Sequence, residues 1–562
     1  MKYPLYIGAR RRAVATAALV VAIAATAIGA AAARAETWAD PSKTLRVMFL
    51  VAETGFDPQV SNDLYSNYVN RELFEAPLAY DYLARPYKLV ANTCSLPQIS
   101  GDGLTWTIKV KPGIYFTDDP VFKGRKRELT AADYVYSWKR VIDPKLRSPN
   151  LQTFDGLFAG ADALVAKAKA TGKFDYDAPM EGLQAIDRYT LRIKLVHPSY
   201  PLMHDLTTSI AGAVAREVIE AHGDASGWAM ANPVGTGPYR LGEWRRGQKI
   251  VLLANTGYRE VRFPESGAPE DRTVLSRMHG KRLPQIGRVE ISIIEESNPR
   301  LLAFERGDLD YIAIPADLIP KVLTRDNTLQ PRFQKAGVVL GRGVQPSIAY
   351  TYFNMENPVV GGYTRDKVAL RRAIGMAYNS DEEIRVVRQA QAMFATQPIP
   401  PNVGGYDPDY DGHTGYDPQG AKALLDKFGF VDRDGDGFRD LPDGKPLTLQ
   451  LAFTPSANER PYHELWQRSM KAVGIRTDFV IQKWPDLLKM SRSGQLMMWS
   501  VANTSTTTDG YQFLGLLYGG HAGLSNLSRF KLPEYDRLYE ASRALPEGPA
   551  RTRMFQQMSA LV

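Results

Sequence analysis

The sequence predicts an α/β protein of two or three domains, and three observations carry that expectation. The chain has 562 residues, more than one hydrophobic core usually serves. Its composition, 44% hydrophobic and 23% charged, is that of a globular protein. From Leu45 onward, short alternating apolar runs interleave with amphipathic helical runs.

Residues 1–35 read as an export signal outside the fold. Lys2, Arg10, Arg11 and Arg12 form a basic start, Ala13 to Ala33 is apolar, and Ala33-Arg34-Ala35 has the small-residue pattern of a cleavage site before Glu36. An uncleaved anchor is the alternative, since the run is about long enough to span a bilayer. The full chain carries 69 basic and 61 acidic residues, a net +8. The first 35 residues hold five of the basic residues and no acidic one, so the mature chain is +3. No mature run of Lys and Arg exceeds three residues, which argues against nucleic acid as a partner. The single cysteine, Cys94, excludes an internal disulfide, and none stands at the expected mature N-terminus to carry a lipid. A soluble monomer in the periplasm is the expectation.

The elements follow in chain order. Leu45, Val47 and Phe49 alternate as a strand, the turn Glu53 to Pro58 follows, and Ser66 to Phe74 reads as a helix. Gly101-Asp102-Gly103 is a hairpin signal before the alternating strand Thr105 to Val110. Thr130, with Asp133 three residues on, is a capping box that starts a helix through Trp138. Asp118 to Arg127, just before it, is a basic loop. Asp187 to Leu195 alternates again. Asn232-Pro233-Val234-Gly235-Thr236-Gly237-Pro238-Tyr239 is turn chemistry running into a strand, its glycines read as permitting backbone closed to other residues. Val289 to Ile293 is a strand and Asn298 to Arg306 a helix, closed by Gly307 with Asp308 and Asp310 in a solvated turn. Tyr350 to Asn354 is a strand. Asp366 to Ile374, Asp417 to Leu425 and Tyr462 to Val473 are helices.

These phrases, in this order, resemble the family of periplasmic oligopeptide-, dipeptide- and nickel-binding proteins of ABC importers (extracytoplasmic solute-binding protein family 5). The likeness rests on Leu73-Phe74-Glu75-Ala76-Pro77-Leu78, the Thr105 to Trp138 block, Gly235-Thr236-Gly237-Pro238-Tyr239, Gly307-Asp308-Leu309-Asp310, Asp417-Pro418, and Pro533-Glu534-Tyr535-Asp536, and it spans about 45–540. It implies a type II periplasmic-binding-protein fold: two α/β lobes joined by a hinge, plus an extra domain. The ranges it implies are 36–82 and 205–346 for lobe I, 83–204 for the extra domain and 347–525 for lobe II. Residues 526–562 would return to lobe I and stop short. The implied function is capture of a peptide or similar small solute by lobe closure and delivery to an ABC permease. A secreted peptide-binding chaperone or hydrolase on the same fold is the alternative.

No nucleophile elbow, zinc-protease motif or phosphate loop accompanies the seven histidines, so no catalysis is expected. In peptide-binding members an acid anchors the ligand's ammonium; here the matching position is Thr506. The resemblance therefore leaves Trp499, Thr506, Asp509, Tyr511, Asn526 and Arg529 as candidate ligand-binding residues. No cofactor is required. One loop, however, spaces oxygen donors as calcium loops do: Asp432, Asp434, Asp436, the Phe438 carbonyl, Asp440 and Asp443, with Gly437 at the sixth position. A plain surface turn is the expectation there, with a structural calcium as the alternative.

Overall fold

The computed structural model describes residues 38–562 apart from Pro86, His413, Thr414 and Thr506. The expected signal, 1–35, lies outside the described residues. Three four-stranded sheets organise the chain. The first holds Asp40–Phe49, Ile286–Ile293, Lys249–Ala254 and Tyr239–Arg245, in that spatial order. Its first two strands are parallel, with Leu45 opposite Val289 and Phe49 opposite Ile293, and the other pairings are antiparallel. The second sheet orders Ser347–Phe353, Met498–Thr504, Thr448–Phe453 and Arg476–Ile481; its last three strands are parallel. The third, built from Gln98–Ile99, Thr105–Lys109, Thr190–Lys194 and Leu183–Asp187, is antiparallel throughout.

Both lobes are wound on two faces, as strands buried on both sides require. In the first sheet, Phe49, Ile250, Leu252 and Ile291 pack with Val69 and Leu73 of the helix Leu64–Leu73. Met48 points the other way, onto Ala303 of the helix Ser297–Glu305. In the second, Leu449, Leu451, Phe453 and Met498 face the helices Arg365–Ala377, Pro418–Lys427 and Arg460–Ala472. Ala452, Trp499 and Val501 face Leu487 of the helix Trp484–Arg492 on the opposite side.

Local signals produced the elements they announce. The capping box forms: Asp133 Oδ2 accepts from the Thr130 backbone N–H at 2.8 Å, at the head of the helix Ala131–Ile142. Gly307 closes its helix in the left-handed region. Asp310, however, leaves the solvated turn to accept from Arg46 N at 2.7 Å on the first strand. Gly235 and Gly237 are needed for a different reason from the expected one. Neither is in the left-handed region. A Cβ on Gly235 would lie 2.0 Å from the Leu73 carbonyl oxygen, and one on Gly237 would lie 2.3 Å from that of Glu72. The segment runs against the end of the helix Leu64–Leu73, where Gly237 N donates to Leu73 O at 2.9 Å.

Two boundaries differ from expectation. The apolar core of the third sheet runs past 204 and takes in Leu206, Ala211, Ala215, Val218 and Val234. The stretch 526–562, expected to return to lobe I, packs with lobe II instead. Tyr535 and Tyr539 of Pro533–Arg543 and Phe555 and Met558 of Pro549–Ala560 bury against Ile348, Ile399, Val403, Phe513 and Leu514. That apolar stripe finds its cover there.

One buried ion pair joins the extra domain to lobe I. Arg140 donates through Nη1 and Nη2 to both oxygens of Asp57, at 2.9 and 2.6 Å, and both side chains are fully buried. Gln59 Oε1 and Gly227 O accept from the same guanidinium, and Ala229 N donates to Asp57. Removing one partner of such a pair strands the other charge, at a cost of about 3–5 kcal/mol. Asp57→Ala is therefore expected to lower the urea midpoint by that equivalent; an unchanged midpoint would show that the pair does not hold these segments together.

Candidate functional site

In open α/β sheets, ligands meet the loops that follow the carboxyl ends of parallel strands. In lobe I these are the loops after Phe49 and Ile293; in lobe II they follow Phe453, Ile481 and Thr504. The first carries Val51, 54% exposed, and Glu53, whose Oε1 accepts from Trp244 Nε1 and Gly247 N. Trp244 in turn lies against Phe56, 4.7 Å between ring centroids.

The residues expected to bind ligand fall into three places. Trp499 is 2% exposed, a member of the lobe II core, and presents no free face of its own. Its ring meets Trp484, centroids 4.8 Å apart, and Trp484 is 49% exposed. The aromatic surface at this strand end is thus supplied by Trp484, at the start of its helix after Ile481. The pairing of a Trp with Pro485 at a helix start was the sequence signal for it.

Asn526 and Arg529 hold a turn at the back of lobe II. Asn526 is fully buried; its amide donates to the carbonyls of Tyr518 and Phe530 and its oxygen accepts from Ser528 Oγ. Arg529 adopts a left-handed backbone (φ 56°), donates to Arg492 O and pairs with Glu356 at 3.4 Å.

Asp509 and Tyr511 belong to a packed polar interface between lobe II and the segment that leaves the extra domain. Arg551 Nη2 donates to Asp509 Oδ2 at 2.8 Å, and both side chains are 4% exposed. The Asp509 carboxylate, a candidate ligand-binding group, is thus paired within the protein. His204 Nε2 stands 3.7 Å from Asp509 and 2.7 Å from Glu547 Oε1, and its Nδ1 is 2.7 Å from the Tyr80 hydroxyl. Tyr80 also accepts from Thr508 N, and Tyr87 donates to Glu547. The hydrogen bond from His204 holds the Glu547 carboxyl below its ordinary range. Tyr511 stacks on Tyr539 at 4.1 Å, and burial pushes its hydroxyl up to about 12. Thr506 lies outside the described residues. The bonds of this interface join residues from 42 to 460 positions apart, so only the fold brings them together.

The calcium-type loop is partly assembled. Asp432, Asp434 and Asp440 each offer a carboxylate oxygen within 4.8 Å of the others. Asp432 also accepts from Gly435 N and Gly437 N, and Asp440 from Arg433 N. Two expected ligands are diverted: Asp436 pairs with Arg476, and Asp443 with Lys445 at 2.7 Å. Phe438 N donates to Asp436, and the Arg476 guanidinium lies over the Phe438 ring.

Comparison with known proteins agrees with this architecture. The model of the bacterial extracellular solute-binding proteins, family 5, matches residues 83–524. The chain is 23% identical over 533 residues to the dipeptide-binding protein of Escherichia coli K12, covering 93% of this chain and 87% of that one. It is 24% identical over 471 residues to heme-binding protein A of Haemophilus influenzae, covering 83% and 75%. Among solved structures, Helicobacter pylori DppA with the peptide STSA superposes with a TM-score of 0.68 at 19% identity, covering 92% and 90%. NikA of Brucella suis with Fe(III)-EDTA gives 0.69 at 20%, covering 93% and 91%. With a family match over most of its length and the two-lobed type II fold to go with it, the chain belongs to the bacterial extracellular solute-binding proteins, family 5.

Proposed function

We propose that the protein captures a small organic solute, a peptide or a molecule of similar size, between its two lobes and presents the closed form to an ABC permease. The observation that carries this reading is the pairing of two doubly wound lobes, each ending its parallel strands in exposed loops, with family membership. Closure would bury the ligand and create the shape a permease distinguishes. The relatives include a dipeptide-binding protein and heme-binding protein A, which supports an organic solute. No helix among the described residues is long and apolar enough to cross a membrane. We read the protein as a monomer that breaks no bond: His204, the histidine flanked by carboxylates, is 2% exposed and committed to Tyr80 and Glu547. Native mass spectrometry of protein purified from the periplasm is expected to show one retained solute per chain, with uptake of that solute lost on deletion of the permease. Absence of any retained mass from periplasmic extracts would contradict the reading.

The structural calcium would be held by Asp432, Asp434 and Asp440 with the Phe438 carbonyl, a smaller oxygen set than a full calcium loop supplies. Calcium is then expected to raise Tm with the logarithm of its excess over Kd, and Asp434→Asn to abolish the rise. Equal melting in calcium and in chelator would reduce the loop to a hydrogen-bonded turn.

A further inference from the structure

The two parallel strands of the first sheet send their following helices to opposite faces. Leu64–Leu73 packs on the Phe49 side and Ser297–Glu305 on the Met48 side. The crevice between the two loops is a topological switch point, where open α/β sheets place ligands.

Arg300 sits at this crevice. Long side chains on a helix lean toward its N-terminus, and Arg300 does so: Nη2 donates to Ser297 Oγ at 3.1 Å and to Glu295 O at 3.4 Å. Glu295 belongs to the loop that follows Ile293, and Ser297 opens the helix that loop leads into. From the other helix, Tyr65 bonds the backbone of Leu50 and feels the field of Arg300. The guanidinium therefore lies at the start of its helix, where the loop after Ile293 enters it, and within the field of Tyr65 from the other helix.

Its chemistry is incomplete. Arg300 is 3% exposed, yet Nε and Nη1 are buried with no hydrogen-bond partner. Glu296 and Asp317 are the acidic groups whose fields reach it, and neither forms an ion pair with it among the described residues. Burial lowers its pKa from the ordinary value. A buried cation without a counter-ion is costly, and the other deeply buried arginines, Arg140 and Arg551, each hold a carboxylate. The helix adds to the demand for an anion. It is nine residues long, its N-cap Glu296 makes no side-chain cap, and its N-terminal N–H groups carry the positive end of the dipole.

We propose that Arg300 is the lobe I anchor for a carboxylate of the captured solute, entering beside the exposed loop at Val51 and Ala52. The inference rests on the solute-capture reading and narrows the solute to an acid or zwitterion. It also puts the recognised charge on the lobe opposite the one where Thr506 replaces an acid. The solute's negative end would then do the anchoring.

The probe is sodium acetate, followed on the arginine Nε–H resonances of the wild-type protein; the resonance missing from Arg300→Lys assigns the residue. Acetate is expected to shift that resonance saturably while sodium chloride at equal ionic strength does not. An unmoved Arg300 resonance would overturn the anchor; should Arg300→Lys not fold, Arg300→Gln supplies the assignment. In parallel, Arg300→Lys is expected to retain at least roughly tenfold less periplasmic solute than wild type in native mass spectra, the scale of one charge-assisted hydrogen bond. Equal retention overturns the anchor and leaves solute capture standing. If wild type retains nothing, solute capture fails, and the acetate titration alone decides the anchor.

Discussion

A guanidinium with no access to water ties the domains of this protein together. Arg140, from the helix Ala131–Ile142 of the extra domain, grips Asp57 with both Nη atoms and reaches Gln59 and Gly227 as well. Asp57 lies four residues beyond Glu53, on the loop that follows the first strand. The extra domain therefore sets the position of the loop that crosses the strand ends of lobe I. In a low-dielectric interior such a pair depends on further hydrogen bonds to its remaining donors and acceptors, and here Ala229 N donates to Asp57 while Gln59 Oε1 and Gly227 O accept from the two Nη groups. That geometry explains how a domain remote from the lobe II strands can shape the crevice between them.

Lobe II is fastened differently. Asp509 and Arg551 pair within it, and His204 and Tyr80 reach across to the same cluster through Glu547 and Thr508. The result is a seam of hydrogen-bonded polar and aromatic side chains. A seam of that kind suits two bodies that must keep register while their strand ends move together. It also explains why Asp509 serves the frame: its carboxylate already accepts from Arg551 Nη2 and Tyr511 N.

Elements whose causes are local were legible in the sequence. Thr130 and Asp133 announce their helix because both partners lie within one turn, and Gly307 closes another in the conformation its position required. The glycines at 235 and 237 were visible as special, but their reason, the carbonyls of Glu72 and Leu73, is some 160 residues away. The candidate site was read less well for the same cause. Arg551 is 42 residues from Asp509, and the phrase around Asp509 carries no sign that its charge is spent. Trp499 has the right residue type at the right strand end, yet pleating turns it into the core and leaves Trp484 on the surface. Arg300 passed as one position in an amphipathic helix, because burial without a partner is a property of the folded neighbourhood.

Two lobes that close on a solute bring their strand-end loops nearer to each other. Spin labels at Val51 and Ser456, on the loops after Phe49 and Phe453, report that approach directly, since the native Cys94 is buried and does not compete for labelling. Pulsed dipolar spectroscopy on protein stripped of solute, then supplied with its periplasmic extract, is predicted to show a shorter and narrower distance distribution after addition. A distribution that stays the same while a solute is retained would contradict the account.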